Sequence, residues 1–120
     1  AGDNLFLVVA KDAWRNMTEM EFLGDGCYQA TIVLGKSGRE KFRIVLNQDP
    51  AQSFYPETDE AGQLSPGRGP DWGARGRSWL VDGGATGAAY HVRFHWSFSW
   101  ECGECRHVSW HKRSNTDALC

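Results

Sequence analysis

The stretch AAYHVRFHWSFSW (residues 88–100) decides the fold class. Tyr90, Val92, Phe94, Trp96, Phe98 and Trp100 fall on one side of an extended chain, and His91, Arg93, His95, Ser97 and Ser99 on the other. Successive side chains of a strand point to opposite faces, so this alternation describes a half-buried antiparallel strand. Arg106–Lys112 returns with Val108 and Trp110 between His107, Ser109 and His111, which makes residues 88–112 a C-terminal hairpin. Matching the two apolar faces calls for a three-residue loop or a bulge, with Phe98 opposite Val108 and Trp96 opposite Trp110. That register also brings His95 near His111.

The same period recurs upstream. LFLVVA (residues 5–10) reads as a buried strand. Residues 11–18 read as a loop carrying Trp14, and Glu19–Leu23 as a short strand. Asp25–Gly26 is a hairpin turn pair. Tyr28, Ala30, Ile32 and Leu34 then share a face, and so do Phe42, Ile44 and Leu46, with Lys41, Arg43 and Val45 opposite them. Asp49–Pro50 is expected to stop that strand. Ser78–Val81 is a further short strand. Residues 57–77 are rich in Gly, Pro and Arg and show no period, so they read as a long loop, a feature that in compact domains is often functional or mobile. About eight short strands without an amphipathic helix make one all-β domain over residues 1–120, an antiparallel β-sandwich.

Composition limits the function. The chain has 120 residues and a net charge of −2, which argues against a nucleic-acid binder. Its apolar runs are far too short to span a bilayer, so no transmembrane segment is expected. No signal peptide is visible at the start. Six Trp exceed what a core of this size needs. Trp96, Trp100 and Trp110 fall on apolar hairpin faces and read as core, and Trp79 as core or rim. Trp14 and Trp72 are left in loops, where a binding role is to be sought first.

LFLVVAKDAWRNM, GDGCYQATIVLGKSG and EKFRIVLNQD together resemble the starch- and glycogen-binding modules, among them the glycogen-binding domain of AMP-activated kinase β subunits and the starch-binding modules of amylases. The likeness covers about residues 5–50. GPDWGARGRSWLVDG and the hairpin ending in VSW look like uncharacterised algal and protist β-domains. The resemblance implies an immunoglobulin-like sandwich of the starch-binding-domain type and α-glucan binding. It implies that Trp14 stacks on a sugar ring and that Arg43 meets hydroxyls. The family's second stacking Trp has no counterpart after the Arg43 strand, because no Trp occurs between residues 15 and 71. The likeness, the cysteines and the start without Met are compatible with a plastid location.

Sugar recognition needs a flat aromatic face with polar groups beside it, because a pyranose presents C–H groups to the ring. Trp14 with Arg43, Asn47, Gln48 and Tyr55 is such a set, against a reading in which Trp14 plugs one end of the core. Arg68, Trp72, Arg75 and Arg77 make a basic, aromatic loop suited to docking on a protein. The two function readings are therefore a non-catalytic carbohydrate-binding module and an accessory subunit of a larger complex that kept the fold and lost sugar binding. Cys102-x2-Cys105-x-His107-x3-His111 has the residue types of a zinc site, but an extended strand spreads the two His apart. Cys102 and Cys105 read first as a hairpin-tip disulfide or two thiols, with a metal-binding pair as the alternative, and no cofactor is expected. No nucleophile elbow or catalytic pair is present, so no enzymatic activity is expected.

Overall fold

A computed structural model describes residues 4–63, 65–84, 86–101 and 103–113. Ten strands occur among them: β1 Leu5–Val9, β2 Met17–Glu19, β3 Glu21–Gly24, β4 Cys27–Val33, β5 Arg39–Leu46, β6 Asp49–Pro56, β7 Gly67–Asp71, β8 Trp79–Asp82, β9 Ala89–Ser99 and β10 Gly103–Lys112. A single 3-10 turn, Ala10–Asp12, is the one helical segment described. The strands form two antiparallel sheets. One has the order β2-β1-β5-β6-β7, with β8 also paired to β5, and the other the order β10-β9-β4-β3.

The alternation in β1, β4, β5 and β9 directs one face of each sheet to a shared core. Leu5, Leu7, Phe42, Ile44 and Phe54 come from the first sheet, and Ala30, Ile32, Val92, Phe94 and Val108 from the second. Phe54 packs across the gap on Phe94 and Trp96, with ring centroids 4.8 and 5.0 Å apart. Phe42 stacks on Trp79 and meets Trp110 edge-on, at 5.6 Å in both cases. The architecture is all-β and sandwich-like.

The hairpin turns follow their residues. Asp25 and Gly26 both have positive φ, as a two-residue turn matched to strand twist requires. Gly26 is obligatory there, since a Cβ would come within 2.7 Å of the Trp96 carbonyl oxygen. Asn47 and Gln48 also have positive φ, so the β5–β6 turn lies at Asn47–Gln48, two residues before the stop expected at Pro50. Pro50 lies inside β6.

Three further expectations are corrected. The β9–β10 pairing sets Phe94 opposite Val108, Val92 opposite Trp110 and Gly103 opposite Ser99. Faces match as expected, but the register is shifted, so Phe98 faces Glu104 and Trp96 faces Arg106. His95 consequently pairs with His107, and His91 with His111. Facing parity is satisfied by every second register, and only tertiary packing chooses among them. Trp100 is not core: it is 96% exposed and Phe98 is 70% exposed. Strand β4 pairs with β9 only as far as His95, so the end of the hairpin runs past its neighbour in the sheet. Residues 57–77 are not all loop, because GRGPD forms β7 at the edge of the first sheet. An edge strand tolerates Pro70 and needs no apolar alternation, and a Cβ at Gly67 would press on Arg106.

Candidate functional site

The outward face of the first sheet is also buried in part. Val8 and Val45 are each 3% exposed, yet both have the opposite parity to the core residues Leu7 and Ile44. Their cover comes from two segments far apart in sequence. The first is the turn after β1, where Ala13 and Trp14 both adopt left-handed φ, 59° and 63°. The Ala13 N–H donates to the Ala10 carbonyl at 2.9 Å and the Trp14 N–H to the Val9 carbonyl at 3.1 Å. Left-handed φ at a bulky residue costs of order 1–3 kcal/mol, and such outliers cluster at binding sites. The second segment is the loop 72–77, which carries Trp72, Ala74 and Arg75.

Between these segments lies a cleft of about 600 Å³, lined by Val8, Trp14, Met17, Arg43, Val45, Pro50, Ser53, Trp72, Ala74, Arg75 and Gly76. That volume suits a small-molecule ligand. Two of the six Trp of the chain thus meet in one place, the two that periodicity left in loops. Trp72 is 74% exposed and offers an aromatic surface that no ring or cation among the described residues covers. The Arg43 guanidinium carbon lies 4.1 Å over the Trp14 ring centroid. Trp14 is therefore a wall with one face already taken by a cation.

The loop is anchored by Arg43 from within the cleft and by Tyr55, Asp71 and Arg77 from outside its lining. Arg43 Nε donates to the Arg77 carbonyl at 2.7 Å. Tyr55 is buried, and its hydroxyl donates to Asp71 Oδ1 at 2.7 Å. The Gly73 N–H donates to the same oxygen, also at 2.7 Å. A Cβ at Gly73 would collide with the Tyr55 hydroxyl, so glycine lets the loop close over that phenol. Burial, reinforced by the Asp71 carboxylate, pushes the Tyr55 phenol above its ordinary value and keeps it a donor. The bonds from Tyr55 and Gly73 hold Asp71 below the usual carboxylate range. Arg77 lies 5.6 Å over the Tyr55 ring, and its N–H donates to the Ala74 carbonyl at 2.8 Å. Burial lowers Arg43, against the attraction of Asp59.

The structure divides the two residue sets expected from sequence. Trp14 and Arg43 of the sugar set, and Trp72 and Arg75 of the docking set, come together in the one cleft. Asn47 is not there: its Oδ1 accepts from the Asn4 N–H at 2.9 Å and its own N–H donates to the Asn4 carbonyl, closing a turn at the far end of β5. Tyr55 and Arg77 support the loop from behind. Arg68 projects elsewhere, in an exposed ion pair with Glu57 at 2.6 Å. Met17, Pro50, Ser53 and Gly76 were not singled out in the sequence, since only the β1–β2 and β5–β6–β7 pairings bring them to the cleft.

Cys102 lies outside the described residues, and Cys105 carries a free, half-buried thiol. Among the described residues no group of three or more His, Cys, Asp and Glu side chains is arranged to hold a metal ion. The hairpin His instead form two cross-strand pairs, with ring centroids 5.2 Å apart for His91–His111 and 5.1 Å for His95–His107. Among the described residues no helix is long and apolar enough to cross a membrane. Comparison of the chain with family models, curated proteins and solved structures gives no match.

Proposed function

We propose that the protein is a non-catalytic carbohydrate-binding module whose site is the Trp14–Trp72 cleft. The observation that carries this reading is the meeting of Trp14 and Trp72, remote in sequence, in one cleft beside Arg43 and Arg75. An exposed indole face takes the C–H face of a pyranose, and flanking polar groups take its hydroxyls. Trp72 supplies a second indole face beside Trp14, and with the resemblance to glucan-binding modules this makes an α-glucan the first ligand to try. Titrating soluble glucans against the tryptophan fluorescence of the wild type and of W72A tests the reading. Saturable binding that W72A abolishes supports it, and binding unchanged in W72A overturns it.

A second reading, docking on a protein partner, is favoured by one observation. Phe98 and Trp100 are exposed side by side at the end of the hairpin, with ring centroids 6.0 Å apart. Exposed aromatic pairs of this kind suit an interface core. Co-migration with a larger complex from its source, lost on joint F98S and W100S substitution, supports docking there. A free monomer from that source contradicts it.

A further inference from the structure

The polar lining of the cleft is unusual for a neutral sugar. A hydroxyl both donates and accepts, so a site for neutral sugar benefits from carboxylate or amide acceptors beside its donors. Here the polar side chains are Arg43, Arg75, Ser53 and the two indoles, and no carboxylate or amide lines the cleft. Guanidinium and indole groups only donate. Ser53 Oγ is committed as a donor to the Pro50 carbonyl at 2.8 Å, which leaves its lone pairs as the one side-chain acceptor.

The charge balance points the same way. Arg43 is half-buried and makes no ion pair among the described residues; its Nε bonds a neutral carbonyl and its carbon lies on an indole. Arg75 has no carboxylate partner among the described residues either. Among the other cations, Arg39 lies near Glu60 and Asp82, Lys41 on Asp59, Arg68 on Glu57 and Arg106 on Glu104, while Arg93 donates to the neutral Gln29 side chain. Asp71, at the end of β7 where the loop begins, has Oδ1 taken by Tyr55 and Gly73. Asp59 attracts Arg43 without contacting it and is bound to Lys41 and Ser78, so Arg43 has no close counter-charge; a half-buried cation so placed is costly, and an incoming anion relieves that cost.

We propose that the cleft takes an anionic glycan: its phosphate or carboxylate substituent is held by Arg75 and the terminal N–H groups of Arg43, while a pyranose ring lies on Trp72. This rests on the carbohydrate reading above and adds the charge of the ligand. The guanidinium fork matches either anion in bidentate fashion.

The test titrates the full chain with a neutral maltooligosaccharide, the same glucan carrying phosphomonoesters, polygalacturonate, inorganic phosphate and polyglutamate. The expected result is that the phosphorylated glucan binds about tenfold or more tighter than the neutral one. That advantage shrinks as salt rises from roughly 0.05 to 0.5 M and disappears in R75Q, while W72A weakens both ligands. Preference for polygalacturonate with the same dependence on Arg75 also supports the proposal and identifies the anion as a carboxylate. Equal, salt-independent binding of neutral and phosphorylated glucan overturns the anionic inference and leaves the carbohydrate reading standing. Binding of inorganic phosphate or polyglutamate as tight as that of the charged glycans overturns the joint recognition of ring and anion. No binding of any glycan overturns the carbohydrate reading itself.

Discussion

The Arg43 guanidinium lies over the Trp14 indole, 4.1 Å from its centroid, and its Nε reaches back to the Arg77 carbonyl at 2.7 Å. One side chain thus joins the two covers of the cleft, the turn after β1 and the loop before β8. Arg43→Met keeps the length of the stem and removes both links. Loss of about 1–2 kcal/mol of stability is expected from the cation–π contact and the hydrogen bond together. Chemical denaturation of the variant checks it, and glycan affinity should fall in the same protein.

Trp72 behaves differently because it is mostly exposed. Trp72→Ala should change stability by no more than about 0.5 kcal/mol, the range of surface substitutions away from packing features. A melting curve superimposable on that of the wild type, alongside lost glycan binding, separates a recognition residue from a structural one. For Trp14 the two effects should fall together, since its turn covers Val8 and Val45.

The Tyr55–Asp71 bond sets an acid limit on the loop. Asp71 is held below its ordinary value of 3.8 first by the Tyr55 hydroxyl and then by the Gly73 N–H. A carboxyl whose folded value is depressed stabilises the fold above its unfolded value, and this contribution is lost as pH falls below 3.8 through the folded value. Tyr55→Phe should remove much of that acid dependence and raise loop mobility at neutral pH. Hydrogen exchange of the residue 72–77 amides at pH 7 and thermal melts between about pH 5 and 3 measure the two effects.

The hairpin His give a second pH dependence of different origin. His95 is lowered from 6.5 by burial first, then by His107 and Arg93; Cys27 is its neighbour across β4. A partly buried His whose folded value is lowered binds its proton more readily when unfolded. Stability is therefore unaffected well above 6.5 and declines as pH falls through 6.5 toward the folded value. His95→Gln should flatten melting temperature against pH across that window. An unchanged slope would show that His95 does not carry it.

Much of the architecture was legible in alternation alone. Tyr90, Val92 and Phe94, or Phe42, Ile44 and Leu46, can occupy only one face of a strand, so two faces and a core follow from parity. Parity does not say how far along a strand the opposing layer extends. That is why Trp100 and Phe98 share a face with Phe94 and yet stand in solvent. Nor does it set absolute register, hence His95 against His107 rather than His111. β7 was hidden because GRGPD lacks any apolar period and survives at an edge. The cleft was half legible: lack of periodicity marked Trp14 and Trp72 as surplus to the core. Their meeting depends on β5 and β6 lying between β1 and β7, a relation no local pattern carries.

Glycine at position 26 tests the hairpin architecture independently of any ligand. Its φ is +75° and a Cβ would press on the Trp96 carbonyl, where β4 meets β9. Gly26→Ala should cost of order 1–3 kcal/mol through strain and displacement of that strand pair.

The most direct test of the central claim follows the six indole N–H resonances by nuclear magnetic resonance while glucan, neutral or phosphorylated, is added. The Trp14 and Trp72 signals should move together and saturate, while those of Trp79, buried in the core, and Trp100, at the hairpin end, stay in place. Movement of Trp100 with Trp14 and Trp72 still would contradict the account.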